Sequence, residues 1–143
     1  SIVEECLNKM EEEIKAREAQ VIIEKELPEV KGDPMLLKIV PQNLISNALK
    51  YVDTDIKPEI NIYSTERDKY CCIHFKDNGI GISPKDQDEI FKPFVRLHSD
   101  EIYSGTGLGL SSVRKAVEIM NGKIGVESEP GRGSRFWIEL ELA

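Results

Sequence analysis

Residues 59–66 and 70–77 each alternate apolar and polar side chains, and only Arg67-Asp68-Lys69 separates them. Successive side chains of a strand point to opposite faces, so alternation of this kind describes a half-buried strand. A connection this short joins antiparallel neighbours, because a parallel crossover needs about a dozen residues or more. Residues 123–128 and 134–142 repeat the arrangement across Glu129-Pro130-Gly131-Arg132-Gly133. A chain built on two hairpins is not a βαβ alternation. Its glycine-rich loops therefore do not read as a Rossmann turn or a P-loop.

Helices are predicted around these strands. Ile2, Val3, Cys6, Leu7, Met10 and Ile14 recur at three- and four-residue spacing, which predicts one helix over residues 2–19. Residues 21–27 start β-branched and then alternate with acids, which predicts a strand ending at a turn over 28–32. Asp33-Pro34 is a helix start, an N-cap acceptor followed by proline at the first helical position. That helix should reach Tyr51 with Pro41 inside it. An internal proline lacks the N–H and crowds the carbonyl four residues back, at about 3 kcal/mol, so a kink over 37–41 or a split into two segments is expected. Residues 53–58 read as a loop, and Ser83-Pro84 as the opening of a short helix or turn. Residues 86–91 read as a second short helix, and 111–120 as a helix closed by Asn121-Gly122. The whole predicts an α+β fold, a two-layer α/β sandwich. Its sheet should be mixed but mainly antiparallel, with about five strands and about three helices on one face.

A chain of 143 residues is read as one domain with room for a real core. Its net charge of −7 argues against binding nucleic acid through the overall field. An anionic ligand would need a local exception made of a few cations, backbone N–H groups and a metal. Three cysteines, two of them the adjacent Cys71 and Cys72, suggest neither a disulfide framework nor a zinc site. They read as reduced thiols of a cytoplasmic protein. No apolar run approaches the roughly 20 residues that cross a bilayer, and the acidic start is wrong for a signal peptide. Since the chain opens abruptly at Ser1, an anchor upstream in a parent protein stays compatible with this reading.

The chemistry gathers at three places. Asp77-Asn78-Gly79-Ile80-Gly81-Ile82 follows the second strand. A carboxylate at a strand end can accept from an exocyclic amine such as that of adenine, and glycines let the backbone turn sharply beside a flat ligand. Asp-x-Gly-x-Gly also occurs in ordinary turns. In the second place, Asn43, Asn47 and Lys50 share one helix face, while Leu44, Ile45, Ala48 and Leu49 cover the other. Such a stripe can be a solvated polar face. Yet asparagine is a poor helix former, and its carbonyl is a ligand for Mg²⁺ just as lysine is for phosphate. In the third, Gly105-Thr106-Gly107-Leu108-Gly109-Leu110 leads into a helix, where unshielded N–H groups and partial positive charge suit phosphate oxygens. The plain alternative there is a flexible linker capped by Thr106.

Together these segments resemble the ATP-binding catalytic domain of sensor histidine kinases, in the gyrase–chaperone–kinase–MutL superfamily with its Bergerat fold. Residues 43–51 look like the N box, 77–82 the first glycine box and 105–110 the second. Phe91-Lys92-Pro93-Phe94-Val95-Arg96 resembles the F box, and Gly131-Arg132-Gly133-Ser134-Arg135-Phe136 the last glycine box. The run Arg96-Leu97-His98-Ser99 is shared with phytochrome-like sensors. The resemblance implies that Asn47 binds Mg²⁺, that Asn43 and Lys50 contact the phosphate tail, and that Tyr51 lies against adenine or ribose. It implies that Asp77 accepts from the adenine amino group, with Ser134 and a water nearby. Gly79, Gly81 and Ile82 shape the adenine floor, residues 97–104 form an ATP lid, and Gly105, Thr106, Gly107, Leu108, Gly109 and Leu110 grip the phosphates. Arg96 is implied at the γ-phosphate during transfer.

Relatives that hydrolyse ATP carry a glutamate base where this chain has Asn43, which cannot be a base. A neutral imidazole nucleophile needs less help near pH 7, so transfer to histidine is expected rather than hydrolysis. Neither His74 nor His98 is followed by a phosphoacceptor pattern. The acceptor is therefore expected on a dimerisation helix domain upstream of Ser1, in a homodimeric parent that passes the phosphoryl group to a response regulator, this piece being monomeric. Phe91 and Phe94 read either as core or as a dock for that helical domain, with one ring in each role expected. The reading from another class is a nucleotide-sensing interaction module that transfers nothing.

Overall fold

The computed structural model describes residues 2–53, 55–87, 89–92 and 109–143. Its strands are β1 (Gln20–Ile23), β2 (Glu59–Arg67), β3 (Tyr70–Asp77), β4 (Lys123–Glu129) and β5 (Gly133–Glu141). They form one sheet in the order β1-β2-β3-β5-β4. Both predicted hairpins are present, β2 with β3 and β4 with β5, and β3 pairs antiparallel with β5. Only β1 runs parallel to its neighbour, β2. The mixed, mainly antiparallel α+β sandwich read from the sequence is the fold observed.

Alternation decides which face is covered. Ile60 and Ile62 of β2, Cys71, Ile73 and Phe75 of β3, and Phe136, Ile138 and Leu140 of β5 are buried on one side. The helices are α1 (Ile2–Lys9), α2 (Glu11–Ala16), α3 (Pro34–Lys50), α4 (Pro84–Gln87) and α5 (Gly109–Ile119). Buried side chains come from α1, α3 and α5 and none from α2 or α4, so three helices close the core. Gly109 lies against Asn43, and Met120 against Gly32, which sets α5 antiparallel to α3.

Four boundaries differ from expectation. The single helix over 2–19 breaks at Met10, because Glu11, Glu12 and Glu13 fill the first turn of a new helix, where acids favour a helix start. The first strand stops at Ile23 instead of continuing to residue 27. Leu27 then packs on the core and Val30 bridges Leu142 at the far end of the sheet. Among the described residues, the short helix or turn expected from 83–84 forms as α4, and turns at 89–91 stand where the second short helix over 86–91 was expected. The last helix begins at Gly109, two residues before the expected start.

Pro41 does not split α3, which runs as one helix from its Asp33 cap, where the side chain accepts from Met35 N at 2.8 Å. Pro41 itself is buried. Alanine there would recover about 3 kcal/mol of helix penalty and lose about 1.5 kcal/mol of apolar burial. Pro41→Ala should therefore raise stability by about 1–2 kcal/mol, read as a higher urea midpoint at unchanged slope. A lower midpoint would show that the ring is a packing element the helix depends on.

Candidate functional site

The polar stripe of α3 emerges as the sequence predicts. Leu44, Ile45, Ala48 and Leu49 are buried, while Asn43, Asn47 and Lys50 are only partly so. Asn43 Nδ2 donates to the Ile39 carbonyl at 2.7 Å, one turn back. That bond fixes the amide, since a carbonyl needs a donor, and leaves Asn43 Oδ1 beside Gly109, 3.1 Å from where a β-carbon on that glycine would sit. The stripe thus adjoins the first residue of α5. This helix is 11 residues long and has no acid in its first turn. Neither Asn47 nor Lys50 makes a side-chain hydrogen bond or ion pair with the described residues.

Asp77 closes β3. Its Oδ1 accepts from Gly79 N at 2.9 Å and from Ser134 N at 3.1 Å. Both bonds from the described residues fall on one oxygen, which leaves Oδ2 for another donor. Burial pushes the carboxyl up to about 6, against the pull of these two N–H groups. Tyr51 caps α3 eight residues after Asn43, about 12 Å along the axis at 1.5 Å per residue. Its carbonyl accepts from Ile80 N at 2.9 Å. The end of the amide stripe and the carboxylate loop are therefore tied together.

The two glycines of this loop are packed closely against main chain. A β-carbon on Gly79 would strike the Tyr51 carbonyl, and one on Gly81 the Glu129 carbonyl, with Gly81 at φ +78° as well. What forbids side chains here is the protein's own backbone. Sequence reasoning gave no role to the groups that hold this loop. Asn78 Oδ1 accepts from Glu59 N at 2.8 Å and its Nδ2 donates to Lys57 O at 3.0 Å. Gln87 Nε2 reaches both Ile82 O and Ser128 O at 3.0 Å. Ser128 Oγ accepts from Ile82 N at 2.8 Å. An asparagine before a glycine at a strand end was a readable signal for Asn78. Ser128 lies 46 residues from Ile82 and carried none.

Ile82 and Leu110 pack partly buried against the core. Phe91 meets Phe136 edge to face at 6.2 Å, the inward ring of the expected pair. Phe94, Arg96, His98, Gly105, Thr106, Gly107 and Leu108, with the expected lid over 97–104, lie outside the described residues.

The opposite face of the sheet carries a separate network. His74 is buried, stacked on Tyr63 at 4.5 Å, with Nε2 2.9 Å from Thr65 Oγ1 and Nδ1 2.6 Å from Arg135 Nη1. Burial first, and Arg135 second, lower its proton affinity. A cleft of about 340 Å³ is lined by Asp77, Ser128, Glu129, Arg132, Gly133 and Ser134 at the strand ends and, beyond them, by Tyr63, Lys76, Glu127 and Arg135. Those four belong to the outer face, so this cleft lies away from the α3 stripe. No group of three or more His, Cys, Asp or Glu among the described residues could hold a metal. Nor is any helix among them long and apolar enough to cross a membrane.

Comparison with known proteins agrees with this geometry. The family described as histidine kinase-, DNA gyrase B- and HSP90-like ATPase matches residues 32–143. Phytochrome-like protein Cph1 of Synechocystis is 35% identical over 99% of this chain and 19% of its own length. The sensor histidine kinase RcsC of Escherichia coli is 38% identical over 84% of this chain and 13% of its own. The chain thus spans a fifth or less of these relatives. Among solved structures, the catalytic domain of histidine kinase ThkA superimposes with a TM-score of 0.82 at 27% identity, covering 99% of this chain and 90% of that one. Full-length ShkA in complex with AMPPNP also has a TM-score of 0.82, at 24% identity, over 99% of this chain and 30% of that one, a likeness of fold.

Proposed function

Since this chain belongs to the histidine kinase-, DNA gyrase B- and HSP90-like ATPase family, we propose that it is the ATP-binding catalytic domain of a sensor histidine kinase, passing the γ-phosphoryl group of ATP to a histidine on a separate helical domain. The observation that carries the reading is the single carboxylate at the end of β3, held through Oδ1 only and joined through Tyr51 to a helix whose Asn43 Oδ1 lies beside Gly109 at the start of α5.

In this reading Asp77 Oδ2 receives the adenine amino group, with Ser134 beside it. Asn43 and Lys50 meet the phosphate tail, and the first N–H groups of α5 at Gly109 and Leu110 face its oxygens. Arg96 and Gly105, Thr106, Gly107 and Leu108 complete the phosphate site by family resemblance. Asn47 suits Mg²⁺, a cation that takes most of its oxygens from phosphate and water and needs few from protein. Bound there, the ion would neutralise charge on the triphosphate. Asn43 offers no base for water, whereas a neutral imidazole arrives with its lone pair available. Both ring nitrogens of His74 are engaged on the outer face, which supports an acceptor elsewhere. The parent is read as a homodimer that hands the group on to a response regulator in the cytoplasm, anchored or not, with this domain monomeric.

Mixing the chain with the helical domain and γ-labelled ATP should put acid-labile label on histidine. Bound ATP without label on the acceptor would favour a nucleotide-sensing interaction module instead. Steady release of phosphate by the chain alone would contradict the role given to Asn43.

A further inference from the structure

Ser134 and Ser128 face one another across the β4–β5 hairpin, with their hydroxyl oxygens 2.7 Å apart. Each hydroxyl has one proton to give. Ser128 Oγ sits 2.8 Å from the Gly133 carbonyl, which can only accept, so the Ser128 proton goes there. Ser128 also accepts from Ile82 N at 2.8 Å. The contact between the two serines must then be filled by the Ser134 proton. The count is closed: Ser134 donates inward to Ser128 and turns only lone pairs outward.

From this relay we infer that Ser128 is a specificity-determining positioning residue, holding Ser134 as a pure acceptor beside Asp77 so that the site takes an adenine nucleotide and refuses a guanine one. The inference rests on the nucleotide reading above. Adenine and guanine differ at position 6 of the ring, where one carries an amino donor and the other a carbonyl acceptor. Asp77 and Ser134 are neighbours on the covered face of the sheet, linked by Ser134 N to Asp77 Oδ1. An ionised Asp77 offers acceptors only. If Ser134 could rotate its proton outward, it would give a guanine carbonyl the donor it lacks. Ser128 removes that choice without touching the ligand. Sites built to pair a specific hydrogen-bonding group reject its opposite far more strongly than shape alone does, because buried polar groups are left unpaired.

The test is equilibrium binding of Mg-ATP and Mg-GTP to the wild-type chain and to Ser128→Ala, Ser128→Thr and Ser134→Ala. Ser128→Ala should tighten GTP relative to ATP and reduce the preference by about tenfold. Ser128→Thr keeps the hydroxyl and should keep the preference. Ser134→Ala should weaken ATP and leave GTP unchanged, and it serves as the deciding variant if Ser128→Ala does not fold. A merely structural Ser128 would weaken both nucleotides equally and leave their ratio intact, which overturns the inference, as does a Ser134→Ala chain with the wild-type ratio. Wild-type binding of ATP in those same titrations keeps the nucleotide reading standing whichever way Ser128 falls. A wild-type chain that binds neither nucleotide overturns both.

Discussion

Asp77→Asn should weaken ATP binding by about 10- to 100-fold while making the fold more stable at pH 8. Asparagine keeps an oxygen for Gly79 N and Ser134 N, so the loop stays closed. It replaces Oδ2 by an NH₂ group, which sets donor against donor at the adenine amine. The stability gain follows from burial of the charge. The carboxyl is pushed up to about 6 from an ordinary 3.8. The folded chain therefore holds the proton more tightly than the unfolded one. That advantage is complete below about pH 4 and is lost as pH rises through 6. Above it, the ionised group costs the fold about 3 kcal/mol at about 1.4 kcal/mol per pH unit, and a neutral isostere relieves most of this. Urea midpoints of wild type and variant should separate at pH 8 and converge at pH 4. Wild-type ATP affinity should fall below pH 6, as the carboxylate that must accept becomes protonated. Equal ATP affinity in the two proteins would remove Asp77 from the site.

Asn47→Ala is the second large effect. The Asn47 side chain has no hydrogen bond among the described residues, and alanine is the better helix former by about 0.5 kcal/mol. Stability should hold or rise slightly. Affinity for ATP in the presence of Mg²⁺ should drop by at least about 10- to 100-fold, the loss that removing even a partner of a metal ligand causes, while affinity in chelator changes little. Loss of stability without loss of the magnesium effect would mean that Asn47 is a packing residue. Both site variants are thus expected to trade function for stability, the pattern of positions kept for chemistry rather than for the fold.

Local physics explains which features could be read beforehand. The Asp33 cap, the two hairpins and the sidedness of α3 depend on neighbours within a few positions, and each appears at or near its expected bounds. The break at Met10 and the early end of β1 depend on competition, between continuing one helix and starting another at an acid run, and between a ladder bond and a place in the core for Leu27. Those contests are settled by tertiary packing. Asp77 could be singled out beforehand only because its Asp-x-Gly-x-Gly run, which also occurs in ordinary turns, stands in order with the amide stripe and the second glycine run. The reason for the glycines was not legible, since the carbonyls they avoid belong to Tyr51 and Glu129. The Ser128 relay was invisible for the same reason.

The most direct check is a titration of isotope-labelled chain with Mg-AMPPNP followed by backbone amide NMR. The amides of Gly79, Ile80 and Ser134 should shift together and saturably, along with those of Asn47, Gly109 and Leu110, while Tyr63 and His74 on the outer face stay still. Saturable shifts confined to the outer face, or no shifts at millimolar nucleotide, would contradict the assignment of a purine site to Asp77.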